Sequence, residues 1–292
     1  MKEREKLLEL LRRKENIVGV LELTKRLIEV KSPSLEEKDC SEFILSWFKE
    51  HKISAEMVSS DWDVVARIGK GKPSLLFNGH IDTIGAAPEW DSSKDSVSYK
   101  AIEHRGRIYG RGASDMKSGI ACAMYTLKLL RDIPLKGSLV FSGVTREECS
   151  LYSLSGTGKL IRDEVINPDY AIVCEGTVGL KKTLREALGF KIGDRLCILK
   201  GSTTGFRKSK TGRLFDVIKK NAEKVAGEVR VTSGFGIGGE TDIRYLLDLG
   251  IECVVLGPGY IDKCHTADEY VDPKKIVECM QIYALSALEI LS

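Results

Sequence analysis

The sequence predicts an α/β protein, a three-layer sandwich whose central, mostly parallel sheet lies between layers of helices. Three observations lead to this prediction. Short apolar runs alternate with longer segments of helical periodicity. These runs are continuously apolar, as expected of strands buried on both faces of a parallel sheet. The length of 292 residues suits one large domain, so we predict a single catalytic domain over residues 1–292.

The chain begins with helical segments. Apolar residues recur at helical spacing over 3–30, and the pattern stops at the Lys-Ser-Pro-Ser sequence of 31–34. A second helix is predicted over 35–49. Charged residues lie throughout the first segment, which argues against a signal peptide, and no later apolar run is long enough to span a bilayer. We therefore predict a cytoplasmic protein that does not act on membranes.

Strands and helices then alternate along the chain. Predicted strands cover 64–68, 75–78, 139–144, 170–174, 197–199, 229–231 and 253–256. Predicted helices cover 116–131, 155–166, 213–226, 240–249 and 273–291. The most loop-like segment, 201–212, is small, polar and basic. This order of elements is the one that produces parallel strands with crossover helices.

Composition limits the partners. The 45 basic and 42 acidic residues give a formal net charge of +3, which lacks the positive excess that binding to nucleic acid requires. Eight cysteines lie scattered in apolar segments without a C-x-x-C pair, so we predict buried free thiols. A single glutamine beside 30% charged residues is typical of proteins from hot environments, a thermophile pattern. Intracellular disulfides occur in such organisms, so disulfide bonding stays open.

Candidate metal ligands follow four of the predicted strands. In open α/β sheets, ligands bind beyond the carboxyl ends of the strands. The side chains at these ends are His80, Asp82, Glu147, Glu148, Glu175 and His265. Any one of them has an ordinary explanation, such as a loop hydrogen bond or a favourable charge at a helix N-terminus. Their recurrence at four strand ends predicts a site for divalent metals, which take imidazole and carboxylate ligands.

The spacing of these residues in the sequence indicates which role each of them has. Residues two apart on a strand share a face, so Asp82 is predicted to hold the second ring nitrogen of His80, or else to be a surface aspartate in a turn. Asp115 precedes a helix, where it acts as a metal ligand, an N-cap or both. Glu147 and Glu148 are consecutive and must diverge. One can bind a metal while the other handles the proton of the attacking water.

Five segments together resemble a known family. They are NGHIDT at 78–83, GRIYGRGASDMKSGIA at 106–121, TREE at 145–148, CEG at 174–176 and HTADEYV at 265–271. In order and wording they are similar to the M20 metallopeptidases, the group of acetylornithine deacetylase, succinyl-diaminopimelate desuccinylase and the carboxypeptidases. The resemblance covers about 70–175 and 236–290. It implies a zinc-exopeptidase-like fold and hydrolysis of amide bonds.

The resemblance also implies two bound divalent metal ions. Zn²⁺ is the first expectation, with Co²⁺ or Mn²⁺ as alternatives. Asp115 is implied to bridge both ions, His80 and Glu175 to complete the first site, and Glu148 and His265 to complete the second. The resemblance further implies that Glu147 is the general acid/base and that Asp82 is the helper beside His80.

The sequence departs from the family between Glu175 and His265. Typical members insert a lid and dimerisation domain there, which supplies an arginine that binds the substrate carboxylate and a histidine that polarises the scissile carbonyl. This segment contains no histidine, so we predict that the lid is missing or reduced to a short insert at about 185–212. Replacements for the lost groups are open among Arg146, Arg207, Lys208, Lys210 and Arg244. The oligomeric state is open for the same reason.

A glycine-rich segment and three cysteines have alternative explanations. Residues 234–239 satisfy the G-x-G-x-x-G pattern, but the next strand lacks the acidic residue that binds a ribose. We therefore predict a glycine turn near the metals, with Thr241 and Arg244 as substrate contacts. The cysteines that neighbour proposed ligands are Cys149, Cys174 and Cys264. Thiolate ligation or redox control is an alternative for them, but we predict that they pack into the core.

The function predicted is that of a two-metal amide hydrolase. Its substrate is a small N-acyl amino acid, from which it removes the acyl group, or a short peptide, of which it cleaves a terminal bond. Two alternatives remain: a single-domain aminopeptidase-like enzyme, and a weakly catalytic metal-binding protein that binds a protein partner. The presence of Glu147 favours an enzyme, because a binding protein has no need of a proton acceptor.

Overall fold

The computed structural model describes residues 2–58, 60–85, 98–149, 156–178, 197–200, 212–233 and 241–292. The glycine-rich segment 234–239 and the basic residues Arg207, Lys208 and Lys210 lie outside these ranges. So does the predicted insert, apart from 197–200 and Gly212. The one-domain organisation and the reduced lid therefore stay predictions. No helix within the described ranges is long and apolar enough to cross a bilayer.

Two sheets are present among the described residues. Their strands in chain order are β1 Ser54–Met57, β2 Val64–Gly69, β3 Ser74–His80, β4 Ile102–His104, β5 Arg107–Tyr109, β6 Ser138–Val144, β7 Tyr170–Val173, β8 Cys197–Lys200, β9 Arg230–Ser233, β10 Glu252–Val255 and β11 Tyr270–Val271. The large sheet has the order β1-β2-β6-β3-β7-β10-β8-β9, and the small sheet has the order β11-β5-β4.

The centre of the large sheet is parallel. Strand β3 pairs in parallel with β6 on one side and with β7 on the other, and β10 pairs in parallel with β7. Every residue of β3 is buried, as the continuous apolar run predicts. Antiparallel pairs occur toward the edges, where β2 joins β6 and β8 joins β10. The prediction of a mostly parallel central sheet is confirmed.

Helices cover the sheet on both faces. In chain order they are α1 Lys2–Arg12, α2 Lys14–Glu29, α3 Lys38–Glu50, α4 Lys117–Leu130, α5 Gly156–Arg162, α6 Arg213–Ala226, α7 Ile243–Asp248 and α8 Pro273–Ile290. Leu75 and Phe77 of β3 belong to one apolar cluster, with the cores of α1 to α4, α6 and α8. Leu76 belongs to a second cluster with Leu160 of α5 and Leu246 of α7. Because side chains alternate along a strand, the two clusters lie on opposite faces, and the three-layer prediction is confirmed.

The main differences from the predicted elements are local. The helix predicted over 3–30 is two helices, because Arg13 has an extended backbone. The amide of Asn16 donates to the carbonyl oxygen of Leu10 at 2.8 Å and so competes with the helical hydrogen bonds at this point. Four short strands, β1, β4, β5 and β11, were not predicted. Strand β1, for example, has no buried residue and carries no continuous apolar run.

Candidate metal centre

Three neighbouring parallel strands end at the same edge of the sheet. His80 is the last residue of β3, Glu147 follows the end of β6, and Glu175 follows the end of β7. Helix α4 approaches the end of β7 closely. A side-chain carbon at Gly119 would lie 2.0 Å from the carbonyl oxygen of Cys174, so only glycine fits there. This packing fixes the position of the Glu175 backbone against the helix that follows Asp115.

Asp115 lies between two imidazoles. Its Oδ1 is 3.1 Å from Nε2 of His80, and its Oδ2 is 3.1 Å from Nε2 of His265. Each carboxylate oxygen therefore faces a different histidine. Burial acts to raise the pKa of Asp115, but hydrogen bonds from His265 and His80 outweigh it and hold that pKa well below its usual value. This is the arrangement expected of a carboxylate that bridges two cations.

A second carboxylate accompanies each histidine. Glu175 Oε1 is 3.5 Å from Nε2 of His80, and Glu148 Oε2 is 2.9 Å from Nε2 of His265. The two halves differ in exposure, because the side chain of His80 is 1% exposed whereas that of His265 is 51% exposed. The cluster is therefore closed behind His80 and opens toward solvent beside His265.

The role of Asp82 is broader than the sequence predicted. Nδ1 of His80 is 2.9 Å from the main-chain oxygen of Asp82 and 3.4 Å from its Oδ1. The Asp82 carboxylate also accepts hydrogen bonds from the backbone N–H groups of Glu147 and Glu148, at 3.2 and 3.0 Å, and from the hydroxyl of Ser34, at 2.6 Å. One fully buried carboxylate thus orients the histidine and both glutamates.

Glu147 lies beside His80 and Glu175. One oxygen of Glu147 lies within 4.8 Å of donor atoms of His80 and Glu175. Burial raises the pKa of Glu147 to about 10 despite the opposing charge of His80, and the Glu175 and Asp242 carboxylates add to the rise. Without a bound cation, this side chain therefore carries a proton at neutral pH.

The residues fit divalent cations. Donor atoms of His80, Asp115 and Glu148 lie within 4.8 Å of one another, as do those of His80, Glu147 and Glu175. Two imidazoles and several carboxylates form a donor set that suits Zn²⁺, Co²⁺ or Mn²⁺. Among the described residues, no lysine or arginine pairs with any of these carboxylates. In the absence of a metal these carboxylates face the two imidazoles, and a divalent cation binding there would take the place of the protons that the cluster holds.

Comparison with known protein families gives a match over most of the chain. The family model described as "Peptidase family M20/M25/M40" matches residues 76–289, a range that includes His80, Asp82, Asp115, Glu147, Glu148, Glu175 and His265. The match covers more than half of the chain. The chain belongs to the M20 peptidase family.

Curated M20 relatives are similar over part of their length. A succinyl-diaminopimelate desuccinylase of Rickettsia canadensis is 32% identical over 186 residues, which are 58% of this chain and 48% of that protein. An N-formyl-4-amino-5-aminomethyl-2-methylpyrimidine deformylase of Bacillus subtilis is 32% identical over 142 residues, which are 44% of this chain and 33% of that protein. The chain spans about half the length of the desuccinylase.

Solved structures share the fold. An M20 family metallo-carboxypeptidase from Sulfolobus solfataricus superposes with a TM-score of 0.73 at 14% identity, covering 94% of this chain and 99% of that chain. Human carnosine dipeptidase 1 superposes with a TM-score of 0.72 at 12% identity, covering 98% of this chain and 99% of that chain. At such identities the likeness concerns the fold alone.

Glu269 is a residue of the M20 site that sequence reasoning missed. Its carboxylate is fully buried and accepts hydrogen bonds from the guanidinium of Arg111 at 2.6 Å and from the backbone N–H groups of Gly112, Ser114 and Asp115 at 2.9 to 3.1 Å. It therefore holds the loop that carries Asp115. The quoted HTADEYV motif contained Glu269, but nothing local indicated a contact across 154 residues of sequence.

We expect the Glu269→Ala variant to lose about 3–5 kcal/mol of unfolding free energy, because the buried Arg111 loses its carboxylate partner and keeps only its hydrogen bond to the carbonyl oxygen of Gly85, and three loop N–H groups are left unpaired. Urea denaturation measures the loss. Glu103→Ala is the control, because Glu103 pairs with Lys25 at an exposed position where an ion pair contributes about 0–1 kcal/mol. Equal losses in the two variants would contradict the role of Glu269.

Thr241 and Arg244 lie at the start of α7. The hydroxyl of Thr241 accepts from the N–H of Ile243 at 3.3 Å, and the guanidinium of Arg244 donates to the hydroxyl of Tyr245 at 3.1 Å. Between them, Asp242 is close enough to Glu147 to contribute to its raised pKa, so this helix start lies beside the cluster. The substrate contacts of Thr241 and Arg244 stay predictions.

Two further predictions concern Arg146 and the cysteines. The guanidinium of Arg146 pairs with Asp61 at 2.8 Å. Arg146, one of the candidates for binding substrate, therefore already has a carboxylate partner. Cys174 is buried, and its thiol is 3.7 Å from the carbonyl oxygen of Ile172. Cys149 and Cys264 are partly exposed, in contrast to the expected full burial. None of the cysteines with described side chains forms a disulfide.

Without bound cations, we expect the unfolding free energy to fall as pH rises from 4.5 to about 10. Burial raises the pKa of Glu175 to about 7 and that of Glu147 to about 10, and hydrogen bonds to Asp115 and Glu148 raise that of His265 to about 10. Over this window the folded state binds more protons than the unfolded state, so stability decreases with pH.

Urea denaturation in a chelating buffer measures this dependence. Added Co²⁺ should flatten it, because the cation replaces the protons that neutralise the carboxylates. The Glu147→Gln variant should show a smaller slope, since it lacks one of the titrating groups. If the unfolding free energy of the metal-free protein instead increased toward high pH, the titration of these three groups would not control its stability.

Proposed function

We propose that this protein is a two-metal hydrolase of amide bonds in small N-acyl amino acids or short peptides, with Zn²⁺ as the first candidate metal. The observation that carries the proposal is Asp115, whose two oxygens each face a different imidazole. His80 and Glu175 would hold one cation with Asp115, and Glu148 and His265 would hold the other. When bound, two such cations polarise an amide carbonyl and lower the pKa of a water molecule.

Glu147 is proposed as the general acid/base. It is buried and lies beside His80 and Glu175, and the two proposed sets of ligands, which share Asp115, leave it free to handle protons. Its carboxylate takes a proton from the attacking water at one oxygen and delivers that proton to the amide nitrogen as the C–N bond breaks. Asp82 keeps His80 in position and fixes the backbone of both glutamates, so it orients the groups without exchanging protons with substrate.

The proposed substrate class follows from the kinds of relatives and from the open half of the cluster. The desuccinylase and deformylase names describe removal of small acyl groups, and the structural neighbours include a carboxypeptidase and a dipeptidase. The half-exposed His265 marks the side from which a small substrate can enter. Large macromolecular substrates are not required by any of these features.

A substrate screen tests the proposal. The protein, loaded with Zn²⁺ or Co²⁺, is incubated with formyl-, acetyl- and succinyl-amino acids, with dipeptides, and with peptides blocked at either end. Release of free amine, measured with a fluorogenic amine reagent, identifies the class. Chelator-treated protein is the control and should release none. Silence of the loaded protein across all classes would overturn the hydrolase proposal in favour of a metal-binding protein with a protein partner.

A further inference from the structure

The turn that carries the two glutamates is held by buried carboxylates through its main-chain N–H groups. The N–H of Thr145 donates to Oδ1 of Asp63 at 2.9 Å, and the N–H of Arg146 donates to Oε1 of Glu37 at 3.1 Å. The next two N–H groups donate to the carboxylate of Asp82. Four consecutive N–H groups therefore each have a carboxylate acceptor, and we call 145–148 the glutamate turn.

The backbone of the glutamate turn is strained at Arg146, whose φ of 64° lies in the left-handed region. For a residue with a side chain this conformation costs roughly 1–2 kcal/mol. It occurs immediately before Glu147 and Glu148, whose side chains then diverge. Glu147 turns toward His80 and Glu175, and Glu148 reaches Nε2 of the exposed histidine. The separation of the two carboxylates thus depends on a conformation that needs support.

Glu37 is well placed to give that support. It precedes the first turn of α3, whose side chains Ile44 and Phe48 are fully buried in the core. The Glu37 side chain is also fully buried, and its Oε2 has no hydrogen-bond partner. A buried carboxylate oxygen without a partner lowers stability. The carboxylate also interacts with the backbone N–H groups of Leu35 and of Glu37 itself, so it links the start of α3 to the strained N–H of Arg146.

We propose that Glu37 is a positioning residue of the metal centre: it fixes the glutamate turn so that Glu148 meets His265. Its effect on turnover rests on the proposed hydrolase function, but its effect on cation binding does not. The two cation sites should respond differently, because Glu148 belongs to the glutamate turn whereas His80 and Glu175 are carried by the ends of β3 and β7.

Cobalt binding to the full chain tests this proposal. Glu37→Leu removes the acceptor, Glu37→Asp withdraws it by one methylene and keeps the charge, and Glu37→Gln keeps an oxygen acceptor at the same distance. Ile44→Ala is the control for general loss of stability, because Ile44 is buried on the same helix and is not part of the metal centre. Calorimetric titration with Co²⁺ and the visible cobalt spectrum resolve the two binding steps.

We expect Glu37→Leu and Glu37→Asp to weaken one cobalt-binding step about tenfold and to leave the other unchanged, as found when groups behind metal ligands are removed. Glu37→Gln should bind cobalt as tightly as the parental protein in both steps. Ile44→Ala should lower the Tm and leave both steps unchanged. With an active substrate, kcat should fall about tenfold with little change in KM, because the turn also carries the proton-transferring glutamate.

The outcomes separate the two proposals. Unchanged cobalt binding in both Glu37→Leu and Glu37→Asp would overturn the positioning role, and so would equal weakening of both steps. If Glu37→Leu fails to fold, Glu37→Asp decides the question. Selective weakening in a protein that hydrolyses no tested amide would support the role of Glu37 and reject the hydrolase function.

Discussion

The Glu147→Gln variant is expected to keep its cations and to lose hydrolysis, with kcat lower by about 10²- to 10⁴-fold. Glutamine has the same shape as glutamate but cannot take a proton from water at neutral pH. The five proposed metal ligands are unchanged, and the backbone N–H at this position still donates to Asp82. Steady-state kinetics on a substrate found in the screen, together with metal analysis after dialysis, measures both effects.

A matched variant separates proton transfer from packing. Glu147→Asp keeps a carboxylate but withdraws it by one methylene, so it should retain more activity than Glu147→Gln while binding the same amount of metal. Parental turnover in Glu147→Gln would exclude this residue as the general acid/base. Loss of one cation from that variant would instead make Glu147 a ligand, as its position near His80 and Glu175 permits geometrically.

The sequence predicted the part of the site that follows from sheet topology. His80, Glu147 and Glu175 follow strands that are both parallel and adjacent, so the rule that ligands bind at the carboxyl ends of strands was enough to group them. His265 and Asp115 follow less directly, because one lies in a long loop and the other precedes a helix. Their pairing in the structure depends on loop paths that no periodicity encodes.

The residues that hold the ligands could not be predicted in the same way. Glu37, Asp63 and Glu269 each accept hydrogen bonds from main-chain N–H groups that lie 82 to 157 residues away in sequence. In sequence, each resembles an ordinary surface acid. Only the fold shows that they are fully buried, and burial is what makes each hydrogen bond decisive.

Replacing Asp115 with alanine is expected to remove both cations and abolish activity. Each oxygen of Asp115 faces a different histidine, so its loss takes one ligand from each proposed site and leaves no group between them. The loop should keep its course, because the backbone N–H of residue 115 still donates to Glu269 at 3.0 Å. Metal analysis after dialysis, with circular dichroism to confirm folding, measures the result.

The His265→Ala variant is the control for Asp115→Ala. Because the His265 side chain faces Glu148 and only one oxygen of Asp115, its removal should release one cation and leave the one held by His80 and Glu175. If the two metal sites were independent, any single substitution would remove at most one cation from the protein. Loss of both cations from Asp115→Ala, but of one from His265→Ala, therefore distinguishes a bridged pair of metals from two separate sites. Loss of a single cation from both variants would rule out the bridge.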